Sequence, residues 1–227
     1  MNNPSENQTD SQMDLILFGM QGAGKGTVGK AIAEKYNLQT FEMGGELRRL
    51  AQESSELGQK VKEIIESGKL VGDDVVMEIV ENFIRGLVEG ANVLFDGIPR
   101  KVEQAKLLKD LLESLNRQFT AVLVDIKKET ALTRLTTRRV CDTCKEVYPE
   151  AYKEPNCAKE DCGGTLIVRA DDNTSAIETR LNTYETETVP AIELFGKNLV
   201  KIDGEPPIEE VRDLAFEKLD PIMGYTE

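Results

Sequence analysis

The sequence contains no histidine and no tryptophan, and aromatic residues fill only 5% of its 227 positions. The absence of an imidazole does not count against a reaction run by positioning and charge, which needs no strong general base. Long apolar runs are also missing. None approaches the roughly 20 residues that span a bilayer. Residues 1–12 are polar and lack the apolar core of a signal peptide, so they are expected to form a disordered tail on a cytosolic chain. Positive charge is scarce: 28 Lys and Arg against 41 Asp and Glu leave a net charge of −13. That argues against a nucleic-acid partner, which calls for a basic surface. It does not argue against a nucleotide, because a local arginine cluster can reverse the sign inside one cleft. Internal repeats and low-complexity runs are absent, and the length suits one compact domain with small inserts.

What is present is organised around Gly19-Met20-Gln21-Gly22-Ala23-Gly24-Lys25-Gly26-Thr27. The apolar run Met13–Phe18 before it reads as a buried strand, and Val28 to Tyr36 behind it reads as a helix. Strand, glycine-rich loop and helix together form the context of a phosphate-binding loop. Glycines allow successive N–H groups to turn inward on an anion, the helix start adds its positive dipole end, and Lys25 adds a full charge. The general pattern has Ser or Thr directly after the lysine. Here Gly26 intervenes, which points Thr27 to a phosphate hydrogen bond and away from direct metal ligation. A glycine-rich turn without a ligand is the alternative.

Further along, Gln39–Glu42 reads as a short strand, and residues 44–50 open a helix. A second helix is expected over Glu56–Ser67 with Gly68 as its cap, and a third from Asp73 to about Val88. Asn92–Asp96 is an apolar strand that ends in a carboxylate, followed by Gly97-Ile98-Pro99-Arg100. The pattern then predicts a helix over Val102–Leu115, a strand over Thr120–Ile126 and a helix over Glu129–Arg139. A helix over 173–188, a strand over Asn198–Asp203 and a helix over Pro207–Leu219 complete the chain. Strands alternate with helices, so the class is α/β, with a parallel sheet covered on both faces.

The four cysteines fall as Cys141-Asp142-Thr143-Cys144 and Cys157-Ala158-Lys159-Glu160-Asp161-Cys162. Two close pairs in a segment too poor in large apolar residues for its own core can wrap one structural zinc. Four thiolates would leave no open position for catalysis. Asp161 in place of one cysteine, or four unliganded thiols, are the alternatives. Arg48, Arg100, Arg134, Arg138, Arg139, Arg169 and Arg180 sit beside glycine turns, strand ends or the edges of this insert. Guanidinium groups stay charged and grip phosphate oxygens bidentately, as phosphoryl transfer requires.

The loop of residues 19–27, Phe95-Asp96-Gly97-Ile98-Pro99-Arg100 with Gln104, Arg134-Leu135-Thr136-Thr137-Arg138-Arg139, Arg169-Ala170-Asp171-Asp172, Arg180 and Lys201-Ile202-Asp203-Gly204 follow one another in order. As a set they resemble the long, zinc-lid form of the adenylate kinase family, over Met13 to Asp220. The resemblance implies a three-layer P-loop fold, with a helical NMP-binding insert over 42–71 and a zinc lid over 134–170. It implies reversible phosphoryl transfer from magnesium-ATP to AMP. Gly22, Ala23, Gly24, Lys25, Gly26, Thr27, Arg134, Arg138 and Gly204 would then bind ATP. Met43, Gly44, Arg48, Lys69, Val71, Gly97, Arg100, Gln104, Arg169 and Arg180 would bind AMP, with Gln104 reading the base. Lys25, Arg100, Arg138, Arg169 and Arg180 would be catalytic, and Asp96 would hold magnesium through water. Asp171 and Asp172 would fix the lid arginines, and Cys141, Cys144, Cys157 and Cys162 would hold zinc. A monomer acting on ATP and AMP, with no nucleic acid and no membrane, completes the expectation. Another acceptor (CMP, UMP or GMP) and a silent nucleotide-binding adaptor are the competing readings. The family's Ser-Thr-Gly-Asp stands here as Glu42-Met43-Gly44-Gly45, and Ile98 replaces its phenylalanine.

Overall fold

A computed structural model describes residues 13–67, 69–169 and 172–225. The expected tail over 1–12, the Gly68 cap and Asp171 lie outside the described residues. In chain order the elements begin with β1 (Met13–Phe18), α1 (Lys25–Tyr36), β2 (Gln39–Glu42), α2 (Met43–Leu50), α3 (Glu56–Glu66) and α4 (Asp73–Arg85). They continue with β3 (Val93–Asp96), α5 (Val102–Ser114), β4 (Gln118–Asp125), α6 (Lys128–Thr137), β5 (Arg139–Cys141), β6 (Val147–Tyr148) and β7 (Leu166–Ile167). The last are α7 (Thr174–Thr183), α8 (Val189–Glu193), β8 (Leu199–Asp203) and α9 (Ile208–Leu219).

The main sheet has five strands in the order β2-β3-β1-β4-β8, every pair parallel. Its central strands are continuous apolar runs because helices cover both faces, and Leu15, Ile16, Val93, Leu94 and Phe95 are fully buried. From β1 the chain turns outward to β2, returns to β3, and only later crosses to β4. The strand order therefore reverses beside β1, and the carboxyl ends there open a crevice for ligand. Register brings Glu42, Asp96 and Leu17 level on that rim.

At the opposite end, Asp14 and Arg117 form a buried ion pair, with Arg117 Nε 2.6 Å from Asp14 Oδ2 and Nη2 2.6 Å from Oδ1. Asp14 Oδ1 also accepts from Val93 N at 2.8 Å, and Arg117 Nη2 donates to Ala91 O at 2.7 Å. The pair ties β1, the entry to β3 and the entry to β4 together.

Residues 139–167 fold into a separate antiparallel sheet, β6-β5-β7. Its buried apolar cluster, Cys141, Tyr148 and Leu166, is too small to hold itself. Three helices differ from expectation. The third stops at Arg85, capped by Gly86. Val88 beyond it is exposed. The helix before the cysteines stops at Thr137, since Arg139 already belongs to β5. The helix expected over 173–188 widens into a π turn at Tyr184–Thr188 and restarts as α8 with a proline in its first turn. Pro190 has no N–H to give and its ring crowds the carbonyl four residues back, which the wider turn accommodates.

Candidate active site

The glycine-rich loop leaves β1 and reaches α1 through Gly24, which caps the helix in a left-handed conformation (φ 84°). Gly22 has φ 88°, and a Cβ there would lie 2.9 Å from Ala131 O, so only glycine fits the approach of loop to α6. Lys25, the first residue of α1, folds back so that Nζ donates to Gly19 O at 2.7 Å and Met20 O at 3.2 Å. Gly26 and Thr27 follow on the exposed side of the first turn.

Opposite Lys25 stands Asp96 at the end of β3, and the guanidiniums of Arg100, Arg138 and Arg180 act electrostatically on the same ammonium. Burial lowers the Lys25 pKa to about 8, opposed by Asp96 and reinforced by the arginines. Burial raises the Asp96 carboxyl above the usual range, with Lys25, Arg100 and Arg48 pulling it back. Arg100 is lowered by burial and then by Arg180. On a chain of net charge −13, this is a local concentration of positive charge around one carboxylate.

Arg100 is held in place on several sides. Its Nε donates to Gly97 O at 2.9 Å, its N–H to Gln104 Oε1 at 2.8 Å, and its carbonyl accepts from Thr188 Oγ1 at 3.0 Å. Arg138 grips Asp172 bidentately, Nε to Oδ2 and Nη2 to Oδ1, both at 2.7 Å. Arg180 Nη1 reaches the same Oδ1 at 3.2 Å. One buried carboxylate thus sets two guanidiniums side by side. Arg134, at the end of α6, donates to Gly204 O at 3.1 Å, Glu205 O at 3.2 Å and, at 3.5 Å, Gly22 O. It clamps the glycine-rich loop to the turn after β8. Glu205 braces that turn by accepting from Lys127 N and Thr130 Oγ1.

Of the residues expected to bind AMP, Arg48 lies on α2 and pairs with Glu42, while Met43 is buried under the helix start beside Gly44. Val71 is buried between α3 and α4, and Lys69 is exposed. Gln104 is buried, and its Nε2 donates to Asp73 Oδ1 at 2.8 Å. Arg169 is half-buried at the foot of the small sheet, its carbonyl accepting from Asp172 N at 3.0 Å. Arg139 faces the small sheet, bonded to the carbonyls of Glu154 and Tyr152. A cavity of about 470 Å³ runs from Gly26, Glu42 and Asp96 along α1 to Asn37.

The four cysteine Sγ atoms lie within 4.8 Å of one another, with Cys141–Cys162 at 3.6 Å and Cys144–Cys157 at 3.5 Å. Tetrahedral zinc with sulfurs at about 2.3 Å places them roughly 3.8 Å apart, so the donor set fits the ion. Among the described residues Asp161 is not part of this group. Gly164 passes so close that a Cβ there would lie 2.3 Å from Cys141 Sγ, so any larger residue at 164 disrupts the cage. For magnesium, the Asp96 carboxylate is the hard oxygen donor that the ion prefers.

The adenylate kinase family model matches residues 17–200. The chain is 38% identical to the adenylate kinase of Kosmotoga olearia over 213 residues, covering 92% of this chain and 99% of that one. The chain belongs to the adenylate kinase family. It is likewise 38% identical to the adenylate kinase of Listeria monocytogenes serotype 4a (88% of this chain, 95% of that one) and 37% identical to that of Archaeoglobus fulgidus (88% and 94%). Like its adenylate kinase relatives it is a phosphotransferase of the nucleoside monophosphate kinase class. Asp172, expected to fix the lid arginines, holds Arg138 and Arg180. The residues whose contacts sequence reasoning passed over in this chain are Glu42, Asp73, Gly164, Thr188 and Glu205. All but Glu42 act through partners far along the chain, and Glu42, paired with Arg48 six residues on, carried a signal as a carboxylate at a strand end. Among the described residues no helix is long and apolar enough to cross a membrane.

Proposed function

We propose that this chain transfers the terminal phosphoryl group of magnesium-ATP to AMP, reversibly, giving two ADP. The convergence of Lys25, Arg100, Arg138 and Arg180 about Asp96 at the carboxyl rim of the sheet carries the reading. Lys25 and the N–H groups of Gly22, Ala23, Gly24, Gly26 and Thr27 hold the donor phosphates, with Arg134 and Gly204 on the donor base side. Arg48, Arg100, Arg169 and Arg180 hold the acceptor's phosphate, and Met43, Gly44, Lys69, Val71 and Gly97 line its pocket. Gln104 reads the base by exchanging its Asp73 bond for the adenine edge. Arg138, Arg169 and Arg180 stabilise the moving charge. The acceptor phosphate is already anionic, so no strong base is needed, which suits a chain without histidine. Asp96 would hold magnesium, expected through water, and the ion would supply charge neutralisation at the donor phosphates. The segments 42–71 and 134–170 act as flaps that exclude water and so suppress ATP hydrolysis. The enzyme works as a cytoplasmic monomer without nucleic acid.

The test is a coupled assay for ADP across acceptors. With ATP and magnesium, kcat/KM for AMP should exceed that for CMP, UMP or GMP by at least about 100-fold. A different acceptor in first place reassigns the base pocket, and nucleotide binding without transfer points to the silent adaptor.

Zinc held by Cys141, Cys144, Cys157 and Cys162 would cross-link a sheet that has almost no core of its own. Elemental analysis should find one zinc per chain, and chelation should lower the melting temperature by at least about 5 °C. Metal-free protein that melts at the same temperature would count against it.

A further inference from the structure

β2 ends in Glu42, whose register partner is Asp96, so two carboxylates stand side by side on the rim of the phosphate site. Glu42 is among the groups that push the Asp96 carboxyl up. It is also the N-cap residue of α2, yet its side chain makes no capping bond to the helix. Its Oε1 accepts instead from Arg48 Nη2 at 2.8 Å. Gly44 and Gly45 leave room for this fold-back: a Cβ on Gly45 would lie 3.0 Å from Glu42 Oε2, and one on Gly44 3.5 Å from Oε1. The carboxylate therefore sits on the guanidinium that the function proposed above assigns to the acceptor's phosphate.

We propose that Glu42 is a built-in competitor for the acceptor phosphate, a positioning residue that occupies Arg48 until a phosphate displaces it. The inference rests on the reading of Arg48 as an acceptor ligand. Glu42 holds Arg48 through Nη2, so a phosphate that grips the guanidinium through both terminal nitrogens must displace it, and a phosphate dianion arriving beside Glu42 and Asp96 meets two negative charges. A phosphate-bearing acceptor can displace the carboxylate by its greater charge, whereas a nucleoside without phosphate cannot. Glu42 thus sets acceptor affinity and demands a phosphate, and among the described residues its carboxylate hydrogen-bonds to Arg48 and to none of the donor-side groups.

The experiment compares the full chain with its Glu42→Gln and Glu42→Ser variants, by steady-state kinetics and by calorimetric titration with AMP. An exposed ion pair contributes modestly, so both KM and Kd for AMP should fall by about fivefold, with kcat and the KM for ATP within about twofold. Glu42 is exposed, and the Gln variant keeps its shape, so its melting temperature should stay unchanged. An AMP Kd that stays constant or rises in both variants overturns the proposal. If the parent chain makes no ADP from AMP, the functional reading fails instead, and the AMP titrations still decide the role of Glu42.

Discussion

Replacing Lys25 with methionine should cut kcat by at least about 1000-fold while far-UV circular dichroism stays near that of the parent. Among the described residues the ammonium hydrogen-bonds only to Gly19 O and Met20 O in its own loop, so its removal breaks no hydrogen bond to a distant element. What is lost is the charge at the centre of the cluster, where Asp96 and three arginines already act on it. The pKa of about 8 adds a second readout. Lys25 carries its charge below that pH and loses it above, so kcat/KM for ATP, which reports the free enzyme, should decline as pH rises through about 8. Turnover in the methionine variant within tenfold of the parent would remove Lys25 from the mechanism.

The largest effect on stability should come from Asp14→Ala. The Asp14 side chain has no exposed surface, and that of Arg117 is 7% exposed. Removing the carboxylate leaves a buried guanidinium without its counter-charge and the Val93 N–H without its acceptor. Breaking such a pair from one side costs about 3–5 kcal/mol, because the remaining charge keeps its desolvation penalty. That is a large share of the roughly 5–15 kcal/mol by which domains are stable. Urea titration should show the midpoint falling with little change in slope. Asp14 lies near the start of β1, away from the glycine-rich loop, so KM values of the folded variant should hold. A loss below about 1 kcal/mol would mean that water reaches Arg117 and replaces the acceptor.

The core of the fold was legible because its signals are local. Apolar runs mark β1 and β3, and a carboxylate followed by glycine marks the end of β3. The phosphate loop announces itself through glycine spacing and flanking elements. The cysteine pairs likewise pointed to the four-sulfur cluster, even with the longer second spacing. What the sequence did not reveal depends on partners far along the chain or on how a side chain folds back on its own turn. Periodicity puts Gln104 on a face of α5 but cannot say that its amide joins Arg100 N to Asp73. It gives Thr188 to a helix and misses the π turn that carries its hydroxyl to Arg100 O. Nor does it pair Glu42 with Arg48, since that contact needs two adjacent glycines to let the side chain fold back.

The Arg134 clamp has a consequence for how the molecule is made. Its carbonyl acceptors at Gly204 and Glu205 follow it by 70 and 71 residues. A nascent chain therefore carries its glycine-rich loop through most of translation without that fastening. The edge strand β8 and the turn behind it must leave the ribosome before the donor floor can lock.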